Sequence, residues 1–242
     1  MQGGGATPAM PLVMVRGVSK YYVRGDQIIP VLVDIDLDVA RGDYVALMGP
    51  SGSGKSTLLN LIAGIDKPSA GEIRVSGIDI AQLSDSELAL WRATNVGFIF
   101  QFYNLIPSLT ARENVALVAD IAPNPMQPDR ALELVGLSAR RDHFPSQLSG
   151  GEQQRVAIAR AIVKQPEILL CDEPTGALDA TTGRIVLDVL DRVNLELGTS
   201  IAVVTHNAPI AQLANRVVTI MDGRIASETR NEHRAKPSEV TW

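Results

Sequence analysis

Hydrophobic and polar residues alternate along residues 31–39. Val33, Ile35, Leu37 and Val39 are apolar, and an aspartate stands between each successive pair. A period of two predicts a strand with one buried face and one solvated face. Nothing near the three aspartates in the sequence supplies further metal ligands, so we assign their carboxylates to the solvated face.

Apolar runs elsewhere predict further strands, and capping patterns mark the helices between them. The predicted strands cover 12–18, 44–48, 71–75, 77–80, 96–100, 167–171, 200–205, 216–221 and 223–226, and the predicted helices start near residues 58, 84, 110, 128, 152 and 180. Strands that alternate with helices predict a parallel α/β core, and the strand-free stretch 102–163 predicts a mainly helical insertion. Residues 1–11 and 227–242 are expected to form a flexible lead-in and a polar surface tail.

Composition narrows the class of protein. The chain has 242 residues, of which 45% are hydrophobic and 20% charged, which suits one large domain or two joined lobes. A net charge of -5 and an aromatic content of 4% disfavour a nucleic-acid surface. The single cysteine, Cys171, fits a reducing compartment, and no apolar run reaches membrane-spanning length. We therefore expect a soluble, cytoplasmic chain that reaches a membrane only through a partner.

The most informative stretch follows the predicted strand 44–48. It has the form of a phosphate-binding loop and comprises Gly49, Pro50, Ser51, Gly52, Ser53, Gly54, Lys55, Ser56 and Thr57. Glycines let backbone N–H groups turn inward around a phosphate chain, and the following helix adds its positive dipole. Lys55 is expected to neutralise phosphate charge and Ser56 to bind Mg²⁺. A chance glycine-rich turn is the alternative, which the flanking strand and helix disfavour.

A pair of carboxylates ends the apolar run 167–171. Ligands bind at the carboxyl ends of strands in open α/β sheets. Asp172 is therefore expected to hold Mg²⁺, directly or through water, and Glu173 to act as general base or to orient an attacking water. An acidic pair alone also suits a polar loop, but beside a phosphate loop it favours nucleotide hydrolysis.

A second anion-binding pattern stands at Ser149, Gly150, Gly151 and Glu152. Ser149 and Glu152 predict a capping box, and the two glycines leave the first N–H groups of the helix accessible to an anion. These residues also suit a plain helix cap and turn, and both roles can hold together. Because one chain rarely needs two γ-phosphate sites, the surplus predicts two copies packed head to tail around ATP.

Taken in order, these motifs resemble those of the ABC ATPase family, the nucleotide-binding subunits of ABC transporters. The resemblance runs from about Leu12 to Ala226 and rests on residues 49–57, Gln101, 148–152, 172–173, 176–179 and His206. The amino-acid sequences of the segments 48–60, 104–107 and 148–155 are similar to those of the macrolide-export and lipoprotein-release branch of the family.

The resemblance implies an α/β P-loop NTPase (RecA-like) core with a mainly parallel sheet, an N-terminal antiparallel β subdomain and a helical insertion. It implies one nucleotide-binding domain, with the ATP-binding core at 12–101 and 164–226 and the helical subdomain at 102–163. The implied ligands are ATP and Mg²⁺. The implied partners are a second copy of the chain and a transmembrane permease subunit that contacts the region Gln101–Pro107.

The resemblance also assigns roles to single residues. Tyr22 matches the aromatic that stacks on adenine, with Tyr21 as the alternative. Gln101 matches a residue that touches Mg²⁺ or the attacking water, and His206 matches the switch histidine at the γ-phosphate. Asp179 matches the acidic residue that crosses the dimer interface. Together these roles imply an ATPase on the inner face of the cell membrane.

Two other functions compete with transport. A soluble ABC ATPase of DNA repair, chromosome organisation or translation usually carries coiled-coil or zinc-binding insertions or a second cassette, and this sequence has none. Residues 148–152 are the signature motif in this resemblance. A non-hydrolysing nucleotide sensor has no need of Glu173, His206 and this signature together. The leading expectation is therefore MgATP hydrolysis coupled to membrane transport, of an exporter or lipoprotein-release type.

Overall fold

The structure is a computed structural model that describes residues 10–240. Its strands are β1 (Val13–Arg24), β2 (Gln27–Val39), β3 (Tyr44–Met48), β4 (Ala70–Val75), β5 (Ile78–Asp79), β6 (Val96–Ile99), β7 (Ile168–Asp172), β8 (Ser200–Val204), β9 (Arg216–Met221) and β10 (Arg224–Arg230). Its helices are α1 (Lys55–Ile62), α2 (Asp85–Asn95), α3 (Ala111–Ala119), α4 (Pro128–Leu134), α5 (Gly150–Ile162), α6 (Ala180–Leu197) and α7 (Ala208–Ala211).

A six-stranded sheet in the order β10-β9-β3-β8-β7-β6 forms the centre of the molecule. All its neighbouring strands pair in parallel except β10, which is antiparallel to β9. Successive residues of β3 enter different cores: Tyr44 and Ala46 pack with α5 and α6, whereas Val45 and Leu47 pack with α1. Burial on both faces explains why the core strands are apolar runs without alternation. The expected mainly parallel α/β core is confirmed.

A second, antiparallel sheet in the order β2-β1-β4-β5 covers α1. The predicted alternation holds for Ile35, Leu37 and Val39, which are buried. It fails before them, because Asp34 takes a φ of 55° and shifts the register, so that Leu32 is buried instead of Val33. The antiparallel β subdomain is thus present, with a bulge that period-two reasoning did not predict.

Residues 102–163 contain α3, α4 and α5 and no strand. Helix α5 packs against α3, α4 and α6 and so ties this segment to the central sheet. The three predicted capping boxes are confirmed, at Ser84 with Glu87, Thr110 with Glu113, and Ser149 with Glu152. Because Ser149 is the N-cap residue, α5 begins at Gly150 and not at the predicted residue 152.

The C-terminal segment corrects the expected surface tail. Strand β10 continues to Arg230, four residues into the predicted tail 227–242. Beyond it, Val240 is 2% exposed and packs against Leu187, Ile210 and Leu213. Trp242 and residues 1–9 of the predicted lead-in lie outside the described residues. Within residues 10–240, no helix combines the length and apolarity that crossing a membrane requires.

Candidate nucleotide-binding site

The loop between β3 and α1 closes around the Lys55 ammonium. Lys55 Nζ donates to Gly49 O at 2.9 Å and to Pro50 O at 2.7 Å, and the residue is 6% exposed. The carbonyls of the loop therefore turn towards the lysine, as the sequence motif predicts for a loop whose N–H groups surround a phosphate.

Two glycines of the loop are required by space and conformation. Gly49 and Gly54 have φ angles of 144° and 103°, in the region that favours glycine. A Cβ at Gly49 would collide with Ile220 O, and one at Gly54 would lie 2.8 Å from Val31 O. Because the N-cap residue of α1 is Gly54, no side chain occupies the first N–H groups of the helix, which leaves them for an anion.

Ser56 and Asp172 join the loop to the end of β7. The Ser56 hydroxyl donates to Asp172 Oδ1 at 2.9 Å. Burial raises the pKa of Asp172 above its usual range, and the Ser56 hydrogen bond opposes that rise. A half-buried carboxylate beside a hydroxyl is a donor set of hard oxygens that fits Mg²⁺, which takes one or two carboxylates plus phosphate oxygens and water. The residues present thus fit the expected metal.

The residues that follow β6, β7 and β8 meet at one edge of the sheet. Glu173 Oε1 lies 3.2 Å from His206 Nδ1. A Cβ at Gly176 would lie 3.3 Å from Gln101 Nε2 and 3.2 Å from Glu173 Oε2, so these two side chains flank the same glycine. Glu173 has a φ of 47°, a left-handed conformation that is uncommon outside glycine and concentrates at functional sites.

The predicted adenine-stacking tyrosines lie on β1, next to the phosphate loop. Strand β2 approaches the loop at Val31, whose carbonyl oxygen faces Gly54. Tyr22 pairs with Ile29, two residues before Val31 on the same strand. The Tyr22 hydroxyl donates to Asp66 Oδ2 at 2.8 Å, and Lys20 Nζ lies 4.8 Å from its ring centroid. The ring of Tyr22 is therefore held in place with half of its surface exposed.

The start of α5 carries a complete capping box. Ser149 Oγ accepts from Glu152 N at 3.3 Å, and Glu152 Oε2 accepts from Ser149 N at 2.9 Å. The glycines have a packing role that the sequence did not indicate. A Cβ at Gly151 would collide with Thr182 Cγ2 of α6, and one at Gly150 would lie 2.6 Å from the Tyr103 hydroxyl.

Comparison with known proteins assigns this arrangement to a family. The family model described as "ABC transporter" matches residues 32–176. The chain belongs to the ABC transporter family. It is an ABC ATPase cassette, and the match spans the phosphate loop, the signature and the two carboxylates.

Curated relatives of this ABC cassette are of two lengths. The chain is 46% identical to the uncharacterized ABC transporter ATP-binding protein YknY of Bacillus subtilis, with 88% of this chain and 95% of that protein covered. It is 46% identical to the lipoprotein-releasing system ATP-binding protein LolD of Anaeromyxobacter dehalogenans, with 91% and 95% covered. It is 47% identical to the macrolide export ATP-binding/permease protein MacB of Sodalis glossinidius but spans only 35% of its length.

A solved structure gives the same fold. The chain is 41% identical to the ATP-binding cassette MJ0796, with a TM-score of 0.83, and 91% of this chain and 99% of that chain are covered. That structure is described as a dimeric post-hydrolysis state bound to ADP and Pi. The P-loop fold expected from the sequence is therefore confirmed.

Asp179 of the ABC cassette has a role within its own subunit. Its side chain caps α6, accepting from Thr181 N at 3.0 Å and from Thr182 Oγ1 at 2.6 Å. Hydrogen bonds from Thr182 hold the pKa of this carboxyl below its usual range. The capping bonds place a charged carboxylate on the surface at the start of α6.

Gln154 is a residue of the site that sequence reasoning missed. It is fully buried on α5, and its Nε2 donates to Pro174 O at 2.8 Å, directly after Glu173. The signal was present in the sequence, because an amide on the apolar face of an amphipathic helix is costly unless it is hydrogen-bonded. Gln154 therefore couples the position of α5 to that of the segment that follows β7.

Proposed function

We propose that this ABC cassette binds and hydrolyses MgATP and couples the reaction to a transmembrane subunit. The observation that carries the proposal is the contact between Ser56 and Asp172, which joins a phosphate loop to a carboxylate pair and to His206. Each part alone suits many proteins. Their meeting at one sheet edge supplies phosphate binding, a metal position and a base together.

The residues have distinct roles in this reaction. The N–H groups of residues 49–57 and the Lys55 ammonium bind the β- and γ-phosphates, and the exposed face of Tyr22 stacks on adenine. Ser56, Asp172 and Gln101 would hold Mg²⁺, which would neutralise part of the phosphate charge. Glu173 orients water for in-line attack, and His206, whose Nδ1 lies 3.2 Å from Glu173 Oε1, contacts the γ-phosphate.

Two copies complete the site. The start of α5 offers the N–H groups of Gly150 and Gly151, which the capping box of Ser149 and Glu152 does not use. In a head-to-tail dimer this helix start faces the γ-phosphate on the second copy, and Asp179 lies where the two copies meet. The dimeric description of the MJ0796 cassette supports this arrangement.

A groove beside the catalytic edge is the place proposed for the transmembrane partner. It has a volume of about 360 Å³ and lies between α2, α3 and α5, next to the segment Gln101–Pro107. Apolar side chains line it, with a basic rim: Ala63, Ile65, Ala89, Ala93, Val96, Phe98, Phe100, Val118, Ile121, Ala161, Arg92, Arg160 and Lys164. Arg160 also donates to Asn104 O at 2.6 Å, so a partner in this groove acts on the segment behind Gln101.

The names of the relatives suggest which transport system this is. MacB and LolD are described as macrolide export and lipoprotein-releasing proteins, and both resemble this chain at similar identity. We therefore place the chain in an exporter or lipoprotein-release type system, at the inner face of the cell membrane. The permease selects the substrate, so the cassette is the motor of that system.

Replacing Glu173 by Gln tests the proposal. The variant keeps the shape of the side chain but removes the charge that orients water, so we expect ATP binding and dimer formation to persist while hydrolysis falls at least a hundredfold. The measurement is phosphate release beside nucleotide affinity. Glu167→Gln, at the opposite end of β7, is the matched control. It should retain hydrolysis, because Glu167 contacts Arg41 and Ser76, neither of which belongs to the proposed site. Unchanged turnover in Glu173→Gln would contradict the assignment.

A further inference from the structure

Glu152 places a carboxylate at the helix start that is proposed to bind an anion. Its Oε2 accepts from both the N–H and the hydroxyl of Ser149, each at 2.9 Å. These bonds and the neighbouring Arg140 keep its pKa below the usual range for a glutamate. The group is therefore ionised at the N-terminus of α5, three residues from the N-cap.

The charge of Glu152 opposes the function proposed for this helix. A carboxylate suits a helix N-terminus in isolation, because it complements the macrodipole. The same carboxylate repels a second anion that approaches the helix start, and like charges brought together at an interface weaken binding. In the proposed dimer that second anion is the γ-phosphate of ATP bound to the other copy.

Arg140, on a different element, forms an ion pair with the Glu152 carboxylate. It lies on the 3₁₀ turn Ser138–Arg140, and its Nε donates to Glu152 Oε1 at 3.1 Å. The carboxylate is thus shared, with Oε2 bound to Ser149 and Oε1 bound to Arg140. Arg140 Nη1 also lies 3.3 Å from His143 Nε2, which braces the guanidinium beside the helix start.

We propose that Arg140 is a positioning residue for ATP bound to a second copy of this chain. It neutralises Glu152 through Oε1, so that the incoming phosphate meets the N–H groups of Gly150 and Gly151 without an uncompensated carboxylate beside them. The inference rests on the proposed function, because it needs the head-to-tail dimer. It adds Arg140, which lies outside residues 148–152, to the determinants of that dimer.

The experiment measures ATP-driven dimerisation in Glu173→Gln protein by analytical ultracentrifugation. Adding Arg140→Gln should weaken the dimer, because each of its two sites then presents an uncompensated carboxylate to a phosphate. We expect a loss of about threefold to tenfold per site, so about tenfold to a hundredfold in the dimer dissociation constant. The loss should shrink as salt rises, since the repulsion is electrostatic.

A charge-removing partner mutation separates this role from a structural one. In a Glu152→Gln background there is no carboxylate to neutralise, so Arg140→Gln should then change the dissociation constant less than twofold. An equal loss in both backgrounds would overturn the proposal, because Arg140 would then act on the phosphate directly or on the fold. Arg140→Lys should restore part of the wild-type dimer stability.

Controls distinguish failure of this inference from failure of the proposed function. Arg130 forms a similar exposed pair with Glu133 at 2.7 Å on α4, so Arg130→Gln should leave the dimer unchanged. Nucleotide affinity of the monomer should be equal in all variants, because Arg140 contacts the start of α5 and not the phosphate loop. If Glu173→Gln itself forms no dimer with ATP, both proposals fail; if it does and Arg140→Gln matches it, only the role of Arg140 fails.

Discussion

Lys164 is a half-buried lysine in the groove proposed for the transmembrane partner, and its surroundings change its pKa. Burial, together with the nearby Arg92 guanidinium, lowers the pKa of Lys164 to about 8. Its Nζ donates to Arg92 O at 2.7 Å, which keeps the side chain inside the groove. Near neutral pH the folded state therefore has to carry a partly desolvated charge.

This shift predicts how stability changes with pH. Between the folded pKa of about 8 and the unfolded value of 10.5, the unfolded chain binds more protons, so the folded state gains stability as pH rises. Relative to Lys164→Met, the wild type should gain roughly 1–3 kcal/mol across that window. Urea unfolding of both proteins at several pH values measures the difference. A constant difference from pH 7 to pH 10 would contradict the shift.

At the residue scale, the site residues that can be predicted from the sequence are those that stand together in short contiguous motifs. Residues 49–57 and the pair Asp172-Glu173 were found because strand, loop and spacing stand together in the chain. The contact of Gln154 with Pro174 and that of Thr182 with Gly151 were not predicted, because the partners lie 20 or more positions apart in the sequence. Such contacts depend on how helices pack, which local patterns do not contain.

At the scale of elements, the close approach of α5 and α6 depends on a single glycine. Gly151 is buried, and a Cβ there would collide with Thr182 Cγ2. Gly151→Ala should therefore destabilise the protein by about 1–3 kcal/mol, because overpacking outweighs the gain in helix propensity. Chemical denaturation measures the loss.

A second-site change tests the cause of that loss. Thr182→Ser removes Cγ2 but keeps the hydroxyl that donates to Asp179 Oδ2. In the double variant, Gly151→Ala should cost less than half of what it costs alone. No recovery would mean that a contact of Gly151 other than the one with Thr182 Cγ2 causes the loss.

Element boundaries show where sequence patterns lose information. Strand β1 was predicted for residues 12–18 but continues to Arg24, through polar and aromatic residues without an apolar period. It continues because it pairs with β2 up to Arg24 opposite Gln27, across a turn at Gly25 and Asp26. Pairing with a neighbouring strand, and not local hydrophobicity, extends the strand.

At the scale of the whole molecule, the C-terminal segment contacts both α6 and the residue that follows α7. Val240 O accepts from Arg184 of α6, and Ala235 N donates to Gln212 O beyond α7. Helix α6 begins after Asp179, and α7 begins two residues after His206. The sequence predicted only a polar tail here, because a segment with a single docking residue has no periodic pattern.

Arg234 is the main polar anchor of this segment, and its removal is the last prediction. Its guanidinium pairs with Asp191, donates to Leu213 O at 2.6 Å and Asn194 Oδ1 at 2.9 Å, and covers the ring of Tyr44. Arg234→Met should cost about 2–4 kcal/mol, because it leaves the mostly buried Asp191 carboxylate unpaired. Adding Asp191→Asn should recover part of that loss. Arg192→Gln, from an exposed pair on the same helix, should cost under about 0.5 kcal/mol. Urea denaturation compares the variants, and equal losses for Arg234→Met and Arg192→Gln would show that the segment rests on the surface without holding α6 to α7.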